Sequence, residues 1–191
     1  GADESRDVAG GEGRDHELRN AHRQSAHGLR HDGGVARTAE AQHRAELAVQ
    51  ELGREVLANR KPGERALVLI GRTFNTCDQG MNMNLPAKVR DLGVQAIPMD
   101  FLPLHDADHA HMEEMYWRSG QKIIAAARSL KGHPDLYPVY ITNFGCGPDS
   151  FISHFFRGEM SGKPFLQLEI DEHSADAGAI TRIEAFLDSL G

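Results

Sequence analysis

The stretch that decides the fold is T-N-F-G-C-G-P-D-S-F-I, residues 142–152. A short apolar run, Y-P-V-Y-I at 137–141, comes directly before it, and a helical pattern follows from Phe151 to Met160. A chain that leaves a strand and turns at once into a helix places the intervening loop at the carboxyl edge of a parallel sheet, where ligands of open α/β folds bind. The segment therefore predicts a parallel sheet and a loop at its functional edge.

Outward from this stretch, the chain repeats the same alternation of apolar runs and helical patterns. Such alternation indicates βαβ units, and their right-handed crossovers leave few topologies. We predict an α/β fold with a flavodoxin-like, doubly wound parallel sheet of about four strands in the order 2-1-3-4. The predicted strands are Ala66–Ile70, 94–99, 137–142 and 165–170, and the predicted helices are 84–92, 112–130, 150–160 and one that carries Ile180, Ile183, Leu187 and Leu190.

The first 37 residues differ in composition from the rest. Residues 1–37 hold six Arg, seven Asp or Glu and no Lys, with only four large aliphatic side chains, too few to form a core. Glycine pairs at 10–11 and 33–34 also disfavour a helix, so we predict a disordered or non-native tail over 1–37. An imperfect apolar stripe predicts an N-terminal helix and linker over 38–62, and the α/β domain covers 63–191.

Composition limits the class of protein. Hydrophobic residues make up 40% of the 191 residues, and the formal net charge is −7. No run approaches the roughly 18 apolar residues of a membrane span, and the acidic balance gives no reason to expect a nucleic-acid partner. Two cysteines in loops favour reduced thiols. We therefore expect a cytoplasmic protein that binds neither membrane nor nucleic acid.

The predicted strand order places a ligand crevice over the carboxyl ends of strands one and three. The loops there are G-R-T-F-N-T-C-D-Q-G at 71–80 and the segment 143–149, and each carries one cysteine. Cys77 and Cys146 are thus expected to face the same crevice. The second loop could bind a metal or cluster through the Cys146 thiolate, or an anion at the helix N-terminus. Alternatively, Cys146 is a small buried side chain in a tight turn.

The segment H-D-A-D-H-A-H at 105–111 has side chains that suit a divalent first-row metal. It follows strand two, away from the expected crevice, and could equally be a solvated loop that leads into a helix. A metal-dependent hydrolase built on this loop is one hypothesis for function. A phosphate-binding glycine motif is absent after strand one.

A carboxylate–imidazole cluster, Asp171, Glu172 and His173, follows strand four at the same edge as the crevice. These side chains could do acid–base work or orient a neighbour. Equally, Ser174 or Asp176 could simply cap the last helix. The residues alone give no complete active site.

Five blocks of the chain, within residues 66–190, resemble the C-terminal region of the CoA-substrate-specific enzyme activases. These are large proteins related to the 2-hydroxyacyl-CoA dehydratases. The blocks are G-R-T-F-N-T-C-D-Q-G-M-N (71–82), I-P-M-D-F-L-P-L (97–104), M-Y-W-R-S-G-Q-K-I (115–123), T-N-F-G-C-G-P-D-S-F-I (142–152) and L-E-I-D-E-H-S-A-D-A-G-A-I-T-R-I-E-A-F-L-D (168–188).

The resemblance implies a part in an oxygen-sensitive, anaerobic electron-transfer system. There, an activator hydrolyses ATP to pass one electron to a dehydratase component, which carries a 4Fe–4S cluster and removes water from a 2-hydroxyacyl-CoA. By this resemblance Cys146 matches a cluster-binding cysteine, whereas Cys77 stands where the family has an aromatic residue. Residues expected to support the site are Asn75, Asp78, Asn143, Asp149, Asp171, Glu172 and His173.

This sequence lacks the ATPase domains and upstream cysteine motifs of the family, and Thr73–Phe74 replaces a Pro–Tyr pair. We therefore expect a fragment that is inactive and cofactor-free alone, with Cys146 partly exposed. In the complete protein Cys146 would bind the cluster together with thiolates from other domains of the activase or from a dehydratase component, whose substrate is the acyl-CoA. The alternative is a docking module that contacts partner domains and has no cofactor.

Overall fold

The computed structural model describes residues 33–104, 108, 112 and 114–191. Backbone contacts divide the chain into two compact units, 1–45 and 46–191. Of the first unit, the described residues form the beginning of a long helix, α1 (Gly33–Ala58). The sheet and all the remaining helices described below belong to the second unit. In the described ranges we find no helix with the length and apolar character needed to cross a membrane.

One parallel sheet forms the centre of the second unit. Its strands are β1 (Ala66–Ile70), β2 (Gln95–Pro98), β3 (Leu136–Asn143) and β4 (Leu166–Ile170). They lie in the order β2-β1-β3-β4 and every neighbouring pair is parallel, which confirms the predicted order and the doubly wound α/β class. All five residues of β1 are buried, because a strand covered on both faces needs a continuous apolar run such as A-L-V-L-I.

Helices cover both faces of this sheet. They are α2 (Thr73–Cys77), α3 (Leu85–Asp91), α4 (Arg118–Lys131), α5 (Gly147–Glu159) and α6 (Asp176–Ser189). Alternate side chains of β1 point to opposite faces and enter two separate cores. One core, with α4 and α5, contains Val68, Ile123, Leu130, Tyr140 and Phe156. The other, with α3 and α6, contains Leu69, Leu85, Val89, Ile183 and Phe186.

Helix α1 begins at Gly33 rather than at the predicted Thr38. The pair Gly33–Gly34 therefore occupies the first helical positions, where glycine is tolerated better than in a helix interior. The prediction that this pair prevents a helix was wrong, and the predicted tail overlaps α1 at residues 33–37. Residues 1–32 of the predicted tail lie outside the described residues.

Helix α4 begins at Arg118, although the pattern predicted a start near residue 112. The Met115 side chain is buried but does not belong to the helix. It folds over Gly120, where a Cβ atom would lie only 2.4 Å from the Met115 sulfur. Trp117 then adopts an extended conformation at the N-cap. In the sequence, Met115 has the spacing of one more apolar residue on the buried face of the helix. The apolar pattern therefore predicted a helix that begins too early.

Candidate functional site

The loop after β1 passes unusually close to β3. A Cβ atom on Gly71 would lie 2.8 Å from the carbonyl oxygen of Ile141, so only glycine fits without a shift of the backbone. Arg72 follows in an extended conformation as the N-cap residue of α2, a short helix within the segment predicted as a loop. This geometry places the Arg72 side chain beside the loop that follows β3.

The loop after β3 turns sharply into α5. Gly145 has a φ of +69°, in the left-handed region that glycine enters without a steric penalty. Cys146 is the N-cap residue of α5, and its carbonyl oxygen accepts the Ser150 N–H at 3.0 Å. Its side chain makes no capping hydrogen bond and is partly exposed, as predicted. The helix starts with Gly147–Pro148–Asp149, which puts the Asp149 carboxylate in the positive first turn.

The Arg72 guanidinium joins the two loops. Its Nη2 atom lies 2.8 Å from Asp149 Oδ2, 3.1 Å from Asn143 Oδ1 and 3.1 Å from Cys146 Sγ. Two hydrogens on Nη2 are shared among these three acceptors. The guanidinium carbon also lies 4.6 Å from the centre of the Phe74 ring, within the range of a cation–π contact. One cation therefore holds three residues of the segment 143–149.

The Asp149 carboxylate is the buried partner of this cation. Its side chain is 3% exposed, against 22% for Arg72. The same Oδ2 atom accepts the Asn143 N–H at 2.9 Å, which folds the loop back on itself. A carboxylate removed from water is stable only with a counter-charge and hydrogen bonds, and Asp149 has both. The Arg72–Asp149 pair thus fixes the relative position of the β1 and β3 loops.

Tyr140 lies within β3, close enough to the site to sense its charges, and stacks on Phe156 with ring centres 4.5 Å apart. Its hydroxyl is buried and has no hydrogen-bond partner among the described residues. Burial, and next the charge of Asp149, raise the pKa of Tyr140 far above its ordinary value, while the charge of Arg72 opposes the rise. The Tyr140 side chain therefore stays neutral near the charged pair.

The loop after β1 holds two further predicted residues, Asn75 and Asp78. Asn75 is buried, and its Nδ2 donates to the Ile141 carbonyl oxygen at 3.4 Å, so it ties this loop to β3. Asp78 is exposed and accepts the Met81 N–H at 2.9 Å, which closes a local turn. Cys77 is exposed, and its sulfur lies 3.5 Å from Thr76 Oγ1. The described contacts do not bring Cys77 to Cys146.

The cluster after β4 closes its own loop. Asp171 Oδ1 accepts the Ser174 hydroxyl at 2.8 Å and the His173 N–H at 3.0 Å. The Ser174 hydrogen bond is the main reason that the pKa of Asp171 lies below its ordinary value. Glu172 and His173 lie 3.7 Å apart with both side chains exposed to solvent. No described contact connects this cluster to Cys146.

The start of α6 differs from both capping alternatives. Ala175 is the N-cap residue and makes no side-chain capping bond, so neither Ser174 nor Asp176, the two alternatives considered as caps, is the N-cap of this helix. Asp176 lies in the first turn instead, 2.6 Å from Lys88 Nζ on α3. The carboxylate at this position therefore binds a lysine of the neighbouring helix and interacts favourably with the helix dipole.

The loop after β1 lies in a region that is similar to a known protein family. Residues 21–102 match the model of a family described as the CoA enzyme activase uncharacterised domain. Over these residues, which are less than half of the chain, the sequence is similar to that domain of the CoA enzyme activases. The matched residues include Gly71, Arg72 and Asn75, and they also reach back to residue 21, within the predicted tail. No curated protein and no solved structure matches the chain.

The residues of this chain fit one ligand of a cluster but not a complete cluster. A 4Fe–4S cluster is held by four thiolates as a rule, and the chain has two cysteines. Within the described ranges, no three His, Cys, Asp or Glu side chains gather closely enough to hold a metal ion. Six residues of the predicted 105–111 metal loop lie outside the described residues, so that hypothesis stays a prediction.

Pockets lie near both ends of the sheet. A polar pocket of about 330 Å³ opens between β3, β4 and α5, and Asn143 and Asp149 line it. Most of its polar groups bind each other, since Gln167 Oε1 accepts from Ser153 at 3.2 Å and from Arg157 at 2.8 Å. A larger cleft of about 590 Å³ lies at the amino end of β2, against residues such as Val94 and Gln95. The larger cleft is therefore remote from the Cys146 loop.

Arg72 is the functional candidate that was not predicted from the sequence. Its charge alone does not distinguish it from the other arginines of the chain. A signal does exist in its position, directly after a glycine at the carboxyl end of a buried strand. An aspartate in the first turn of the helix after β3 is the matching anion, and the predicted strand order brings the two loops together.

Proposed function

We propose that this domain supplies one thiolate, that of Cys146, to an iron–sulfur site. The other ligands of this site come from other domains or from a partner protein. The site belongs to an ATP-driven system that delivers electrons to 2-hydroxyacyl-CoA dehydratases. The observation that carries the proposal is the position of Cys146 Sγ. It is partly exposed at the carboxyl edge of the sheet and lies 3.1 Å from a guanidinium group.

The chemistry of this position supports a ligand role for the sulfur. Iron binds the thiolate form of cysteine, and a neighbouring cation and a helix N-terminus both stabilise an anionic sulfur. The sheet edge between β1 and β3 is where open α/β folds bind their ligands. The match to the activase family, which covers Arg72, adds the biological context.

A bound cluster would supply one-electron transfer. The residues of this chain would place and support one of its ligands. Gly145 makes the turn that presents Cys146, the Asp149 carboxylate folds the loop, and Arg72 holds both. The remaining thiolates would come from other domains of the same activase or from a dehydratase component.

An iron and acid-labile sulfide assay tests this proposal. The sample is the anaerobically prepared assembly of this chain with the activase or dehydratase polypeptide that completes the site. Cys146→Ser is expected to remove the iron, whereas Cys77→Ser, at the exposed second cysteine, is expected to keep it. Retention of the full iron content in Cys146→Ser excludes the ligand role.

Exposed aromatic side chains favour a second candidate, a docking module without a cofactor. Tyr116 is 88% and Phe144 70% exposed, and both precede helices that begin at the carboxyl edge of the sheet. The Trp117 ring lies 6.3 Å from the Tyr116 ring and 5.5 Å from the Phe151 ring, so these three side chains form one apolar surface. Large exposed aromatic side chains are typical of protein–protein contacts.

The two candidates differ in their need for metal. A docking module keeps its fold and its stability in a chelator, and its assembly with a partner contains no iron at Cys146. The iron–sulfur proposal expects a chelator to weaken the assembly, because Cys146 then loses its bond to the shared site. Comparison of assembly stability with and without chelator therefore separates them.

A further inference from the structure

We propose that Arg72 is the positioning residue of the Cys146 site. Its guanidinium holds the sulfur in place and compensates its charge, beyond its role as the partner of a buried carboxylate. The claim that Arg72 positions a metal ligand rests on the proposed function. The claim that Arg72 positions the Cys146 sulfur rests only on contacts within the chain.

The geometry gives Arg72 more acceptors than an ion pair requires. Besides Asp149, its Nη2 atom reaches Asn143 Oδ1 and Cys146 Sγ, each at 3.1 Å. The three acceptors belong to three residues of one loop, whereas the donor comes from the neighbouring loop. A lysine carries the charge, but its side chain is one bond shorter than that of arginine. Its ammonium group would bind the carboxylate and would not reach the position of Nη2 among the other two acceptors.

The Arg72 side chain is itself held in place from two sides. The Phe74 ring covers one face of the guanidinium at 4.6 Å. Gly71 immediately before it is packed against the Ile141 carbonyl oxygen, so the loop has little freedom to withdraw. A fixed donor can order a flexible acceptor, and the Cys146 side chain, at the N-cap of α5 and without a capping bond, is the freer group.

The contact between Arg72 and the Cys146 sulfur would also affect a metal bound to that sulfur. A cysteine sulfur that binds iron keeps lone pairs that can accept a hydrogen bond, so the contact with Arg72 is compatible with ligation. Hydrogen bonds to ligand sulfurs are among the factors that set the potential of an iron–sulfur site. Arg72 would therefore both orient this ligand and offset its negative charge.

The test compares the alkylation rates of the two cysteines in one molecule. Iodoacetamide, a neutral reagent, is used at a pH of about 10, above the ordinary pKa of a thiol. Under that condition, the guanidinium can only slow the reaction of Cys146, because it occupies one side of the sulfur and donates to it. Cys77, exposed and without a described contact to Arg72, is the internal reference. Mass spectrometry of the two peptides gives the ratio of their rates.

We expect Arg72→Gln to raise the Cys146 to Cys77 rate ratio roughly threefold or more, the effect of losing one typical hydrogen bond. The same rise is expected in an Asp149→Asn background, where no carboxylate is left unpaired. Asp149→Asn alone, which keeps Arg72 on the sulfur, is expected to change the ratio little. Arg72→Lys is expected to be more stable than Arg72→Gln, since it keeps a charge beside Asp149. Its rate ratio is expected to stay above that of the wild type.

Arg128→Gln is the matched control. Arg128 makes a comparable ion pair with Glu159 between α4 and α5, remote from the Cys146 loop, and its loss is expected to leave the ratio unchanged. An unchanged or lower ratio in both Arg72→Gln backgrounds overturns the proposal, as does full restoration by lysine. The test needs no iron, so its failure is distinct from a failure of the iron assay.

Discussion

Replacement of Arg72 by methionine tests how the two loops are held together. The change keeps an unbranched apolar side chain and removes the counter-charge of the buried Asp149. Loss of one partner of a fully buried ion pair costs about 3–5 kcal/mol, because an uncompensated charge remains. The cost here is smaller, since Arg72 is 22% exposed and the Asn143 N–H still binds the carboxylate. We expect a loss of about 2–3 kcal/mol in the free energy of unfolding.

Urea denaturation followed by circular dichroism measures this loss. The midpoint is expected to fall while the slope with denaturant stays constant, which indicates a change of stability alone. Asp149→Asn added to Arg72→Met removes the uncompensated charge, so the double variant is expected to be more stable than Arg72→Met by at least about 1 kcal/mol.

The matched control is Arg128→Met, since Arg128 is about as exposed as Arg72 but its partner Glu159 is 26% exposed rather than 3%. A pair in contact with water contributes about 0–1 kcal/mol. A cost of Arg72→Met no larger than that of Arg128→Met would show that Asp149 does not depend on this cation. The absence of any recovery in the double variant would refute the same reasoning.

Two further changes test the surroundings of the site. Gly71→Ala would place a Cβ atom 2.8 Å from the Ile141 carbonyl oxygen, so it is expected to cost about 1–3 kcal/mol in a urea titration. Gly158→Ala on α5, where a Cβ atom meets nothing within 4 Å, is the control and should stabilise by up to about 1 kcal/mol. Because burial raises the pKa of Tyr140 above the ordinary 10.0, its neutral form stabilises the fold fully below that pH, and this stability is lost as the pH rises above it. Tyr140→Phe should show a smaller loss between pH 9 and 11, a range that spans the ordinary tyrosine pKa, and an equal loss would contradict the assignment.

The fold could be predicted from the sequence because its strongest signals are local. The run A-L-V-L-I at 66–70 has no polar position, so it could only be a strand covered on both faces. Alternation of such runs with helices then restricted the strand order to few choices. Errors occurred where tertiary contacts replaced local pattern, as for Met115, which is buried without being helical.

The candidate site was predicted less completely, because its key contact joins residues distant in sequence. The loop around Cys146 shows a glycine in the left-handed region and a helix N-terminus, both visible in G-C-G-P-D. Arg72 lies in the other loop, and only its three-dimensional position shows that it binds Asp149. Whether Glu172 and His173 support the site also depended on their distance from the Cys146 loop, which the sequence does not give. In the structure, both side chains are exposed to solvent.

The most direct test of the central claim compares the iron content of assemblies that differ only in which cysteine is replaced. Iron and acid-labile sulfide are measured per chain in anaerobic assemblies of the wild type, Cys146→Ser and Cys77→Ser. The proposed ligand role predicts that iron and sulfide are both present in the wild type and in Cys77→Ser and are lost in Cys146→Ser. Equal iron and sulfide in all three proteins, or their absence from the wild type, would contradict it.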